Sequence, residues 1–302
     1  MCYNENGDGM KNFIKLSFMI IILIIVYIFK NDISGFLLNN IIYRNDNKIL
    51  SYNEYYLEYD YSYVQNTDNN KAKNYQDVLN NIYTVLNSGD NNYSFYCDYS
   101  ECISDLRKLL DDNIEVTIIN NYIHPYNSFT TINIDISSKG QVTLKTKKVY
   151  DEYEIQYIND YIKKFVDDNI KNTMSVEEKI RLFHDYIINN TEYDTDGIKR
   201  SYNAYNLITT GKSICGGYSD IMSIYLNYLG IQNYKITSTN HVWNLVKIDG
   251  KWYHLDLTWD DPIASDGKQY LLHNFFLIET NELLKLDSIE HNFDKDVYTE
   301  AK

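Results

Sequence analysis

Lys212-Ser-Ile-Cys215-Gly-Gly-Tyr218-Ser lies near the start of the stretch that decides the fold, which runs from Tyr205 to Pro262. After one helix-length segment it continues with His241-Val-Trp243-Asn and then with Asp249-Gly-Lys-Trp-Tyr-His-Leu-Asp256-Leu-Thr-Trp-Asp-Asp-Pro262. A thiol, an imidazole and a carboxylate thus follow one another on separate predicted elements. Nucleophilic sites use this set of groups, because a base activates the thiol and a third group orients the base.

Cys215 is predicted to lie at or just before the N-terminus of a helix. Apolar residues after it recur at helical spacing, and Gly230 stands where a glycine often ends a helix. The exposed N–H groups and the positive end of the helix dipole favour the thiolate form of a cysteine. Gly216 and Gly217 are expected to leave room beside the sulfur for a substrate.

The imidazole and the carboxylate are predicted to lie on one β-hairpin. Its strand-like runs are Val242–Ile248 and Lys251–Leu257, with an Asp-Gly turn between them. If Ile248 opposes Lys251, then His241 opposes Thr258 and Trp243 opposes Asp256. His241 and Asp256 would then share a face as diagonal neighbours, roughly 5.5–8 Å apart at the backbone. A bulge would shift the register by one residue and undo this pairing.

Each of the three residues also has a purely structural interpretation. Cys215 could be a small buried hydrophobic residue, His241 a satisfied polar residue and Asp256 the cap of a strand end. Their order, their separate elements and their predicted facing favour a catalytic triad.

The sequence resembles the transglutaminase-like superfamily, a papain-related fold that includes transglutaminases and kyphoscoliosis-type peptidases. The resemblance covers roughly residues 174–280 and rests on Ala204–Ser219, His241-Val-Trp243-Asn and Asp249–Pro262, with Tyr193-Asp194 as the approach to the site. It implies a catalytic Cys215, a base His241 and an orienting Asp256. By family position it also makes Tyr205 a candidate donor to the oxyanion, beside the Cys215 N–H. The reaction stays open, because members of the superfamily differ in their acyl-transfer chemistry.

Composition excludes several classes of function. The net charge of −14 and the pI of about 4.8 argue against a nucleic-acid partner, because no basic surface neutralises phosphates. The sequence has no phosphate-binding loop, dinucleotide signature or metal cage. No cofactor and no metal are therefore predicted.

The N-terminus predicts a membrane anchor. Residues 1–12 are predicted to be a cytoplasmic tail and 13–30 a transmembrane segment. Its nearly unbroken apolar run is Leu16–Phe29, and even a count from Phe13 reaches only the short end of what a membrane helix needs. No small-residue cleavage site follows, which favours an uncleaved signal-anchor over a signal peptide. The flanking lysines favour an inside N-terminus, so a single-pass membrane protein with an extracellular catalytic domain is predicted. Residues 31–74 are predicted to be a linker or stalk with little structure.

Residues 75–150 are predicted to form a small α+β unit that packs on the rest of the chain. Two helices and a short strand are expected first, and then three strands at Glu115–Ile123, Thr130–Ser137 and Gln141–Val149. Cys97 and Cys102 could form a disulfide, or could bind a metal with His124, although a fourth ligand is not evident.

Residues 151–302 are predicted to form the catalytic domain. Ser175 and Glu178 form a capping box at the start of one helix. His184 and Asp185 lie on that helix, where adjacent positions point about 100° apart and are not expected to face each other. His254 is expected to support the site without taking part in the chemistry, and His273 shows no evident partner.

The predicted fold is therefore α+β: a papain-like core with the nucleophile helix packed on an antiparallel sheet, preceded by the small α+β unit and the membrane helix. The predicted function is a thiol enzyme that acts on amide bonds of a protein or peptide substrate, which could lie at the cell surface, with hydrolysis favoured over glutamine crosslinking. Crosslinking would need a water-excluding tunnel, for which Trp243 is the candidate wall. An inactive interaction module and an acyltransferase acting on a small thioester are the alternatives.

Overall fold

The computed structural model describes residues 50–90, 93–111, 113–263 and 269–302, together with Met19, Tyr27, Ile28 and Lys30. Apart from these four residues, the predicted anchor at 13–30 and the predicted linker up to residue 49 lie outside the described residues. Within the part described, no helix combines the length and the apolar character needed to cross a membrane.

The helices and strands alternate in a mixed order. The helices are α1 Tyr75–Ser88, α2 Cys102–Asp111, α3 Asn113–Asn121, α4 Glu152–Asn169, α5 Val176–Asn189, α6 Ala204–Thr210, α7 Cys215–Tyr228, α8 Leu257–Asp260 and α9 Thr280–Leu286. The strands are β1 Lys71–Ala72, β2 Tyr93–Cys97, β3 Phe129–Ile136, β4 Gln141–Lys148, β5 Glu192–Tyr193, β6 Lys212–Ser213, β7 Asn233–Thr237, β8 Val242–Ile248, β9 Lys251–Leu255 and β10 Phe276–Ile278. This arrangement confirms the predicted α+β class.

Two sheets of four strands organise the part of the chain from residue 50 onward. The first has the order β1-β2-β4-β3, and the second is antiparallel with the order β10-β9-β8-β7. Helix α7 packs on the second sheet. The Asn244 side chain on β8 donates to the Ser219 carbonyl at 3.0 Å, and Lys235 on β7 pairs with Asp220 at 2.6 Å. These bonds hold the start of α7 beside the strand that leads out of His241.

The predicted hairpin forms with the predicted register over most of its length. Ile248 pairs with Lys251 and Asn244 with Leu255 across the Asp249-Gly250 turn. The expected pairs beyond this point do not form, because β9 ends at Leu255. Asp256 instead caps helix α8, accepting the backbone N–H groups of the next turn.

The segment predicted as the strand Glu115–Ile123 is a helix, which corrects that prediction. Helix α3 buries Val116 and Ile119 at a spacing of three, and Tyr122 continues the same face. Packing of this face against the core overrides the strand preference of the β-branched residues in the segment.

Residues 50–74 contain little regular structure, yet they do not form a stalk. Leu57, Tyr61, Val64 and Ala72 are buried, and the last three join the same core cluster as α1, α3 and residues of β7 and β8. Residues 50–302 form one compact unit. The predicted border between residues 150 and 151 therefore falls inside this unit.

Candidate active site

Cys215 begins helix α7 at the mouth of a cleft. Its thiol is free and half-buried, whereas Cys97 and Cys102 form a disulfide with their Cα atoms 5.7 Å apart. The first N–H groups of a helix have no partner inside it, so those of α7 can stabilise negative charge at or near the sulfur. The cleft has a volume of about 450 Å³, and its described lining residues are Thr117, Ile118, Cys215, Thr237, Ser238, Thr239, Asn240, His241 and Val242.

One wall of this cleft comes from helix α3. Thr117 and Ile118 belong to the segment that the sequence pattern placed in a strand, about a hundred residues before the nucleophile. The lining also includes residues of the loop between β7 and β8, among them Ser238. The Ser238 hydroxyl is buried without a hydrogen-bond partner among the described residues.

Gly216 and Gly217 serve a different purpose from the one predicted. A Cβ atom at Gly216 would lie 2.7 Å from the Tyr202 carbonyl oxygen, and one at Gly217 would overlap the Ser213 hydroxyl. The space beside these glycines is thus filled by the protein's own chain and is not left for a substrate. The glycines allow the loop before α6 to pack closely on the start of α7.

The structure brings His241 and Asp256 together. His241 Nε2 lies 2.5 Å from Asp256 Oδ2, so Nδ1 is the ring nitrogen that remains for Cys215. Burial alone would lower the pKa of His241, but the charge and hydrogen bond of Asp256, with a smaller contribution from Cys215, raise it to about 10. His241 is therefore an imidazolium at neutral pH in this arrangement.

Asp256 is fully buried and accepts four hydrogen bonds. Its Oδ1 accepts the backbone N–H groups of Thr258 at 2.9 Å and Trp259 at 3.2 Å, and its Oδ2 accepts from His241 and His291. Burial alone would raise the pKa of Asp256, but the charges and hydrogen bonds of the two histidines hold it well below its usual range. The carboxylate is thus ionised and fixed in orientation.

His291 is a member of the site that the sequence pattern did not reveal. Its Nε2 lies 2.9 Å from Asp256 Oδ2, and its Nδ1 lies 2.9 Å from Asp287 Oδ2. The ring is completely buried and stacks on Phe275. The only sequence signal is the spacing of four between Asp287 and His291, which by itself does not indicate contact with a residue 35 positions earlier.

Trp243 lies behind His241, away from the cleft lining. It is 1% exposed, and its ring is nearly parallel to the His241 imidazole with centroids 5.5 Å apart. Its Nε1–H donates to His254 Nδ1 at 2.9 Å, and burial lowers the pKa of His254 to about 3. His254 therefore contacts Trp243, which in turn contacts His241, whereas Trp243 is buried and is not among the described residues that line the cleft.

Tyr205 is not among the residues that line the cleft. Its ring packs against Tyr153 and Tyr157 of helix α4, with centroids 6.3 and 5.4 Å away. Tyr193 is nearer to the thiol: burial raises the pKa of its hydroxyl, and the charge of Cys215 raises it further. Its neighbour Asp194 accepts three backbone N–H groups and so closes the loop that packs on α7.

Two groups of His and Asp side chains in the described ranges have ligand atoms within 4.8 Å of one another. One is His241, Asp256 and His291, which is buried throughout. The other is His184, Asp185 and His273, which corrects two predictions: His184 and Asp185 do contact each other, at 2.8 Å, and His273 has Asp185 as a partner at 2.7 Å. The disulfide removes Cys97 and Cys102 as metal ligands.

Comparison with known families agrees with this geometry. Residues 163–257 match the family model described as the transglutaminase-like superfamily. This segment, about a third of the chain, is similar to a transglutaminase-like domain. The match covers Cys215, His241 and Asp256, and it ends at the first residue of α8.

Individual relatives of the transglutaminase-like domain are distant. A curated relative is the kyphoscoliosis peptidase of Mus musculus, 21% identical over 148 residues, which is 42% of this chain and 22% of that protein. The match thus spans about a fifth of the length of the mouse protein.

Two solved structures show a likeness to the chain at 15% identity. The crystal structure of a TGase gives a TM-score of 0.33 and covers 58% of this chain and 54% of its own. A candidate cysteine protease from Cytophaga hutchinsonii gives a TM-score of 0.29 over 47% of this chain and 65% of its own.

Proposed function

We propose that this protein is a cysteine enzyme that acts on amide bonds of a protein or peptide, with Cys215 as nucleophile, His241 as acid and base, and Asp256 as the orienting carboxylate. The observation that carries the proposal is the hydrogen-bonded His241–Asp256 pair beside a free thiol at a helix start, open to a cleft.

The first half of the reaction is acylation. The Cys215 sulfur attacks the amide carbon, and the carbonyl oxygen becomes an oxyanion that the N–H groups at the start of α7 stabilise. The carbon–nitrogen bond then breaks, and the His241 imidazolium gives its proton to the leaving amine. Asp256 keeps the ring oriented with Nδ1 toward the sulfur while its charge changes.

The second half decides the product. Neutral His241 accepts a proton from the incoming nucleophile, which attacks the thioester carbon and releases the Cys215 sulfur. Water gives hydrolysis, and a lysine amine gives a crosslink. We favour hydrolysis because none of the described residues that line the cleft is a tryptophan or tyrosine able to exclude water, and because Trp243 is buried behind His241.

We also propose that the domain works outside the cell membrane, carried by residues 13–30. The apolar run supports this proposal, and so does the Cys97–Cys102 disulfide, because disulfides persist in oxidising compartments. Protease added to intact cells should then remove the chain after Lys30. Cleavage that occurs only after lysis would contradict this location.

The experiment that tests the reaction offers a glutamine-containing protein, with and without a labelled primary amine, to the full chain and to Cys215→Ala. Hydrolysis predicts ammonia or new N-termini without amine incorporation, and no product with Cys215→Ala. Amine incorporation that exceeds ammonia release would establish crosslinking instead. Equal amounts of product from the full chain and from Cys215→Ala would contradict the role of Cys215.

A further inference from the structure

We propose that His184, Asp185 and His273 form a binding site for a divalent transition-metal ion such as Zn²⁺, separate from the thiol site. His184 and Asp185 lie in the third turn of α5, and His273 comes from the segment just before β10. His184 Nδ1 and His273 Nε2 both lie against one oxygen, Asp185 Oδ1, at 2.8 and 2.7 Å. Two imidazoles and one carboxylate are a ligand set that zinc and related ions use.

A buried carboxylate orients the central ligand. His184 Nε2 lies 3.1 Å from Asp260 Oδ2, and both side chains are fully buried. The other oxygen of Asp260 accepts the Phe275 backbone N–H at 3.0 Å and is therefore fixed. Histidines that bind metals commonly donate their distal N–H to such a carboxylate, which leaves the proximal nitrogen bare for the ion.

A neutral His184 cannot donate to both of the carboxylates that its ring nitrogens contact. A carboxylate only accepts hydrogen bonds, and a neutral imidazole has one N–H. If His184 donates that N–H to Asp260, the lone pair on its Nδ1 faces the lone pairs of Asp185 Oδ1, and the two atoms repel each other. A metal ion between the two atoms replaces this repulsion with two bonds, and two carboxylates with two neutral imidazoles balance its double positive charge.

The site is open on one side. The side chain of Asp185 is 29% exposed and that of His273 is 36% exposed, so an ion can enter and keep water ligands. By contrast, His241, Asp256 and His291 are all buried and are engaged in the hydrogen bonds of the triad. The nearby cation Arg181 is directed to Glu177 and lies over the Phe276 ring.

The test uses the full chain with Cys2→Ala and Cys215→Ala, which removes both cysteines outside the disulfide as competing ligands. Zn²⁺ affinity is measured by competition with a chromophoric chelator, and Co²⁺ is added as a visible-absorption probe of nitrogen and oxygen ligation. One ion per chain is expected. His273→Ala should weaken binding by more than about 100-fold, because loss of even an outer partner costs about 10–100-fold. Asp185→Asn should weaken it as well.

Asp135→Asn is the matched control, because Asp135 is exposed and paired with Lys145 on another sheet. It should leave Zn²⁺ affinity unchanged. Thermal unfolding without metal should be the same for His273→Ala and its parent. Zn²⁺ should raise the melting temperature of the parent and of Asp135→Asn but not that of His273→Ala. Absence of stoichiometric binding, or binding that His273→Ala leaves intact, would overturn the proposal. The former result would mean that the three side chains form only a hydrogen-bond network.

Discussion

Asp256→Asn keeps the shape of the orienting side chain and removes its charge. Because Oδ1 accepts the two backbone N–H groups of helix α8, the amide oxygen of an asparagine will occupy that position. Its NH₂ group will then lie where Oδ2 accepts from His241 and His291. An NH₂ group only donates, so both rings must present an unprotonated Nε2.

The consequence is that Cys215 loses its proton acceptor. A neutral His241 with a bare Nε2 carries its proton on Nδ1, the nitrogen that remains for the thiol, and can no longer accept the thiol proton there. The charge-assisted bond that disappears is worth about 1.5–3 kcal/mol. This free energy converts to a fall of roughly 10–150-fold in the rate of a Cys215 reaction that depends on proton transfer from the thiol to His241.

The assay is the second-order rate of Cys215 alkylation by iodoacetamide, followed by peptide mass spectrometry so that Cys2 is scored separately. We expect the full fall at pH 6 and convergence with the parent above about pH 9, where any ordinary thiol ionises. Asp135→Asn is the control of matched chemistry. Alkylation of Asp256→Asn at the parental rate at pH 6, with normal thermal unfolding, would refute the reasoning.

The same site gives three further predictions. First, the free energy of unfolding contains a stabilisation that His241 gains from its partners. It is fully present below the ordinary pKa of 6.5 and is lost as pH rises through about 10, which urea unfolding across this range and NMR titration of the ring will measure. A ring that titrates near 6.5 would contradict this expectation. Second, His291→Gln removes one of the hydrogen bonds to Asp256 and should lower the free energy of unfolding by about 1.5–3 kcal/mol. It should slow the alkylation of Cys215 less than about tenfold, because His241 keeps its own bond to Asp256. A fall in alkylation rate as large as that of Asp256→Asn would be inconsistent with this role. Third, Gly217→Ala should lower the free energy of unfolding by about 1–3 kcal/mol through overpacking. An unchanged free energy of unfolding would mean that the residues packed against Gly217 can move away without destabilising the fold.

Local chemistry made the His–Asp pair predictable. An Asp-Gly turn fixes which strand residues oppose each other, and the predicted register holds from Ile248 and Lys251 to Asn244 and Leu255. The prediction failed only past Leu255, where Asp256 caps a short helix. The pair forms nonetheless, because Asp256 directly follows β9 and can still reach His241, which directly precedes β8.

Long-range packing made other features unpredictable. The β-branched residues of Glu115–Ile123 favour a strand, and only burial against the core selects helix α3. His291 approaches Asp256 through a turn that no periodicity marks. Tyr61 and Val64 are buried from a segment without regular structure, so no repeating pattern reveals them.

The cleft takes its lining from two separate parts of one compact unit. The three residues of the proposed triad lie after Asp151, whereas Thr117 and Ile118, which also line the cleft, belong to α3 in the earlier part of the chain. Changes on α3 can therefore alter which side chains a substrate may present without touching a proton-transfer group. Substitution of Thr117 or Ile118 would therefore be expected to change selectivity before it changed the reactivity of the thiol.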